Sequence, residues 1–143
     1  MVAFRAVLDT NVVLAAHRTE NPRSPNREVL DRWGRREFAL LYSDDVLVEY
    51  AEKLAEHGIN DGEVRAFLAR VRVFGEWVGI EFYHLRRYPA DADDIAFLLC
   101  ALNGRATHLV SYDGGFEPFV GEFALAICEP QAFLAELRCS RVS

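Results

Sequence analysis

The sequence predicts an α/β fold: a three-layer α/β/α sandwich around a central parallel β-sheet. Three observations carry this. Short apolar runs of strand length recur along the chain, beginning with Phe4-Arg5-Ala6-Val7-Leu8. They alternate with longer segments whose apolar residues repeat at helical spacing. The connections between runs are helix-length, long enough for the crossovers that join parallel strands and lay helices on both faces of a sheet. At 143 residues, 51% of them apolar, and with no repeat, linker or low-complexity segment, a single domain over residues 1–143 is expected.

Residues 2–8 read as the first strand, and Asp9 follows it directly. Residues 11–16 open a helix with Thr10 or Asn11 near its cap. Residues 17–26, with Pro22 and Pro25, read as a loop. Residues 27–36 look helical, with Val29, Leu30 and Trp33 on one side and Gly34 weakening the end. Residues 38–42 form the next strand. Ser43 stops it and caps a helix over 44–57, where Val46, Leu47, Tyr50, Ala51 and Leu54 recur at helical spacing and Gly58 ends the run. A helix over 61–73 and a short strand over 77–82 follow. Asp91-Ala92-Asp93-Asp94 leads into an apolar helix over 95–102, closed by Asn103-Gly104. Residues 107–111 and 123–128 supply the last strands. Pro130 starts a final helix through 137, at a position that needs no donor.

Sixteen basic against twenty-two acidic residues leave a formal charge of -6, which argues against a generic basic nucleic-acid coat protein. It leaves room for an enzyme that holds a phosphodiester over bound cations, because such cations invert the local charge logic. Cys100, Cys128 and Cys139 have neither metal-ligand spacing nor an even count, as expected of a reducing compartment. No stretch reaches transmembrane length. A cytoplasmic protein without membrane contact is the expectation.

Four acids recur at comparable places. Asp9 follows the first strand, Glu49 lies in the helix after the second, Asp94 begins the helix before the fourth, and Asp113 follows the fourth by two residues. Strand ends and helix starts share one edge of a parallel sheet, so these acids can converge. Clustered carboxylates repel one another and raise each other's pKa, and divalent metals sustain such a cluster best. Oxygen ligands suit Mg²⁺ or Mn²⁺, and a two-metal clamp activates water and stabilises the leaving oxygen in phosphodiester cleavage. Alone, each acid also reads as a helix cap or solvated group. Asp91 and Asp93 in particular suit a first helical turn.

Four stretches carry a resemblance that covers nearly the whole chain: Val7-Leu8-Asp9-Thr10-Asn11-Val12-Val13, Ser43-Asp44-Asp45-Val46-Leu47-Val48-Glu49-Tyr50, Asp91-Ala92-Asp93-Asp94 with its apolar helix, and Leu109-Val110-Ser111-Tyr112-Asp113. In this order the chain resembles the PIN-domain ribonucleases, most of all the toxin components of bacterial type II toxin–antitoxin pairs. The resemblance implies a metal-binding quartet on Asp9, Glu49, Asp94 and Asp113, with Asn11 and Ser111 as supporting polar residues and Asp91 as an auxiliary ligand. For the third acid, Asp94 is preferred over Asp91 or Asp93. It also implies Mg²⁺- or Mn²⁺-dependent hydrolysis of RNA, a cognate antitoxin protein and a homodimer. One departure stands out: Gly115 occupies a place where the family usually has a further acid, and Glu117 is the nearest substitute.

Arg18, Arg23, Arg27, Arg86 and Arg87 are candidates for RNA backbone contacts, and Trp77, Phe82 and Tyr83 for an interface. Two other classes compete. An aspartyl-phosphate phosphatase needs a second Asp two residues after the first, where this chain has Asn11. A non-catalytic PIN-like interaction module suits the acidic charge but leaves the quartet unexplained.

Overall fold

The first apolar run becomes the middle of the sheet. The computed structural model describes residues 4–81 and 84–142. Five strands, β1 (Arg5–Leu8), β2 (Ala39–Tyr42), β3 (Glu76–Trp77), β4 (His108–Val110) and β5 (Ala126–Cys128), form one sheet in the order β3-β2-β1-β4-β5, and every neighbouring pair is parallel. Around it lie α1 (Thr10–Arg18), α2 (Pro25–Gly34), α3 (Asp44–Glu56), α4 (Asp61–Phe74), α5 (Ala92–Asn103) and α6 (Pro130–Val142). This is the three-layer α/β/α sandwich with a central parallel sheet. Ala6, Val7 and Leu8 are fully buried. A central strand covered on both faces reads as a continuous apolar run and not as an alternating one. Among the described residues, no helix is long and apolar enough to cross a membrane.

The strand order positions the site. From β1 the chain builds outward through β2 to β3, then returns to the other side of β1 for β4 and β5. The carboxyl ends of β1 and β4 therefore flank a topological switch point, where the connections diverge and open a crevice. Leu8 pairs with Val110 at this edge, and the Asp9 amide donates to Val110 O at 2.9 Å. Tyr50 of α3 is fully buried against Phe67 and Phe97, and its hydroxyl donates to Leu8 O, the residue before Asp9. Tyr50→Phe is expected to destabilise the fold by about 1 kcal/mol. The check is a lower urea midpoint with an unchanged slope.

Several boundaries differ from those the sequence suggests. Asp9 itself caps α1, so that helix begins at Thr10, and it runs on through His17 and Arg18. Pro25 is the first residue of α2, two positions earlier than expected, because its missing donor and fixed φ suit the first helical turn. The edge strand β3 is only Glu76–Trp77, and β5 starts at Ala126. Val2 and Ala3, expected in the first strand, and Phe82 and Tyr83 lie outside the described residues.

Helix ends show which glycines matter. Gly58 ends α3 as expected: at φ 80° it lets its own amide reach Ala55 O and the Ile59 amide reach Leu54 O. The same paired bonds close α2 and α5, but the left-handed residues are Arg36 (φ 61°) and Arg105 (φ 52°), not Gly34 or Gly104. Gly104 is required for space: a Cβ there would meet Leu41 Cδ1 and Val78 Cγ2 at 2.9 Å.

Candidate active site

Asp9 sits at the end of β1 and is only 5% exposed. Its two oxygens are used separately. Oδ1 accepts from the Thr10 amide at 2.7 Å, capping α1, and Oδ2 accepts from the Ser111 hydroxyl at 2.5 Å. Ser111 follows β4 across the switch point, and its oxygen also accepts from the Asp113 amide at 2.8 Å. Asp113 Oδ1 in turn accepts from the Gly115 amide at 2.7 Å, capping a short 3₁₀ turn over Gly114–Phe119. One hydroxyl thus ties the two acids into a single hydrogen-bonded frame. Asn11 joins its edge, with Oδ1 accepting from the Tyr112 amide at 3.4 Å.

Asp94 enters from the opposite wall. Asp91 caps α5 by accepting from the Asp93 amide at 3.0 Å, and Asp94, in the first turn of that helix, is buried. Asp94 is 4% exposed, and its Oδ2 is sealed from solvent without a hydrogen-bond partner. Asp9, Asp94 and Asp113 each offer a carboxylate oxygen, and these atoms lie within 4.8 Å of one another. Burial, then the neighbouring Asp113, Asp9 and Asp91 carboxylates, push the Asp94 carboxyl up to about 8. Burial also raises Asp9, against the lowering effect of its Ser111 and Thr10 hydrogen bonds.

An orphaned buried carboxylate oxygen facing two further carboxylates is costly without a cation. The donor set is all oxygen, which fits a hard divalent ion such as Mg²⁺ or Mn²⁺. The residues present therefore fit a metal, and Asp9, Asp94 and Asp113 are those that could hold it.

Glu49 takes a different position from the other three. It lines the same cleft, of about 210 Å³, together with Leu14, Phe97 and the three acids. It stands outside their close group. Burial and the adjacent Asp93 carboxylate raise its pKa, while Lys53 lowers it. Asp91 is an exposed cap at the rim. Glu117 is exposed and absent from the cleft lining. Of the arginines, Arg18 borders a shallow hollow with Asn11 and Leu14, which continues into the cleft. Arg87 is engaged elsewhere, donating to Pro118 O and Glu122. Sequence reasoning passed over Lys53, which lines the cleft one turn after Glu49. The i,i+4 spacing was the available signal.

A sequence model of the family described as PIN domain matches residues 5–114, a span that includes Asp9, Glu49, Asp94 and Asp113. The chain belongs to the PIN-domain family. Solved structures match it over most of its length. VapBC2 from Rickettsia felis, solved bound to a DNA fragment from their promoter, aligns at 15% identity with a TM-score of 0.61, covering 86% of this chain and 96% of the other. VapC20 of Mycobacterium tuberculosis, described as a sarcin-ricin loop cleaving toxin, aligns at 16% identity with a TM-score of 0.56, covering 85% and 98%. FitAcB from Neisseria gonorrhoeae aligns at 17% and 0.52, covering 88% and 98%. At these identities the likeness is one of fold. No curated protein sequence matches this PIN domain.

Proposed function

We propose that this PIN domain, acting as a single domain in the cytoplasm, is a metal-dependent endoribonuclease and the toxin of a toxin–antitoxin pair. The observation that carries the reading is the buried, unpartnered Asp94 Oδ2 converging on Asp9 and Asp113. A Mg²⁺ or Mn²⁺ ion held by these three would activate water towards phosphorus and neutralise charge on the scissile phosphate. The chain's own residues prepare that site. Ser111 fixes the Asp9 and Asp113 side by one shared hydroxyl. Glu49 offers a half-buried carboxylate on the facing wall, placed to orient the attacking water. Arg18, beside Asn11, meets the RNA backbone where the hollow leaves the cleft.

The fold shared with VapBC2 and with the toxin VapC20 supports an antitoxin partner and an RNA substrate. A homodimer belongs to the same reading. Trp77 is 58% exposed with its indole donating to Asp44, and Val48 of α3 is 52% exposed, and such exposed apolar side chains suit an interface. A non-catalytic interaction module has no need of three carboxylates forced together in a buried pocket.

The test is cleavage of structured and unstructured RNAs with Mg²⁺ or Mn²⁺. Asp9→Asn is expected to lower the rate roughly 10²-fold or more, and equal cleavage by both proteins would overturn the assignment. Failure to bind any divalent cation by calorimetry would transfer the chain to the interaction-module class.

A further inference from the structure

The cleft carries more negative charge than one divalent ion neutralises. Asp9, Glu49, Asp91, Asp93, Asp94 and Asp113 all line it, with Lys53 as the single Lys or Arg among the lining residues. The metal reading uses three of these acids, and Asp91 is engaged as the cap of α5. Glu49 and Asp93 remain, one from α3 and one from the first turn of α5, close enough that Asp93 raises the Glu49 pKa.

Lys53 stands one helical turn after Glu49, so the two share a face of α3. Its Nζ lies 3.5 Å from Asp93 Oδ2 and 3.5 Å from Glu56 Oε2. The ammonium therefore reaches across from α3 to α5 at the cleft wall. It acts on both acids there, contacting Asp93 and opposing the upward push on Glu49. A second divalent ion would need the same two carboxylates, because the Asp113 side offers it nothing more. Position 115 is glycine, and a Cβ there would lie 2.6 Å from Asp94 Oδ2.

We infer that Lys53 is the second cation of this active site: the centre takes one divalent ion on Asp9, Asp94 and Asp113, and the Lys53 ammonium occupies the place beside Glu49 and Asp93 that a second ion would otherwise fill. The inference rests on the metal reading proposed above. It makes Lys53 a positioning residue that bridges the α3 and α5 walls of the cleft through its ion pair with Asp93. A compact ammonium with three donors suits that role.

Calorimetric titration of the full chain with Mn²⁺ alone decides it, read with the electron paramagnetic resonance signal of the bound ion. The wild type is expected to bind about one Mn²⁺ per chain, magnetically isolated. Lys53→Met, and Lys53→Gln as an independent second variant, are expected to gain a second Mn²⁺, while Lys53→Arg stays at about one. Circular dichroism checks that each variant is folded. A role confined to surface ion pairing would leave the stoichiometry unchanged. Two ions in the wild type, or one in both neutral variants, would overturn the inference while leaving the nuclease reading intact. No Mn²⁺ in the wild type would instead overturn the metal reading itself.

Discussion

Asp94→Asn is expected to slow the proposed metal-dependent cleavage by orders of magnitude and, in the metal-free protein, to raise thermal stability at pH 8. Both effects come from one atom. Asp94 Oδ2 is buried, unpartnered and beside two other carboxylates, so in the proposed site it would ligate a cation, and without one its charge is costly to bury. The folded chain pushes this carboxyl from the ordinary 3.8 up to about 8. Between those values the folded state binds more protons than the unfolded state, so metal-free stability falls as pH rises through the window. Below about pH 4 both states are protonated and the penalty vanishes. Above about pH 8 it is fully present, on the order of a few kcal/mol. Asp9, also raised by burial, acts in the same direction.

Asparagine keeps the shape and removes the charge. The variant is expected to melt higher than the metal-free wild type at pH 8, by roughly 5 °C or more, and to match it near pH 4. Mn²⁺ should reverse the order at pH 8 by stabilising the wild type alone. Cleavage should fall roughly 10²- to 10⁴-fold. Calorimetric melting at the two pH values, with and without Mn²⁺, is the measurement. A variant that melts lower than the wild type at pH 8 without metal would contradict the account.

The same residues show what a sequence can and cannot disclose. The β1 run was legible because a strand covered on both faces must be apolar throughout, and Ser43 was legible as a cap because its bond to the Val46 amide is local. Asp9 looked like either a cap or a site acid, and the alternatives prove compatible. A carboxylate has two oxygens; one caps α1 and the other meets Ser111, 102 residues away. Asp93 and Asp94 are adjacent, so about 100° of helical rotation separates them. Which of them faces the switch point depends on how α5 packs on β1 and β4, and no local pattern fixes that. Glu49 shows the same limit from α3: membership of an acidic set was visible, but its turn towards Asp93 and Lys53 was not. The ends of α2 and α5 were legible in place, at Gly34 and at Asn103-Gly104, but the conformation that closes them was not. A glycine suggests a left-handed stop, yet Arg36 and Arg105 take that conformation here, while Gly104 answers to side chains from Leu41 and Val78.

Gly115→Ala removes none of the proposed ligands and is still expected to weaken Mn²⁺ binding, by roughly 10- to 100-fold in Kd. A Cβ at 115 would sit 2.6 Å from Asp94 Oδ2 and 3.1 Å from Asp113 Oδ1, closer than such atoms approach without movement. The backbone cannot readily yield, because the Gly115 amide is bonded to Asp113 Oδ1 and the neighbouring Phe116 is fully buried. The Asp94 carboxylate is the part that gives way, by rotating out of the group it forms with Asp9 and Asp113. The fold should survive, since the displaced group is the end of one side chain. Gly114→Ala is the control: a Cβ there meets nothing within 4 Å, so Mn²⁺ affinity should stay at the wild-type value. Equal affinity for both variants would mean that Asp94 can leave its observed position without loss, and so is not a ligand there. A loss confined to the 115 variant would identify the missing side chain as part of the metal site, holding open the space in which the Asp94 carboxylate stands.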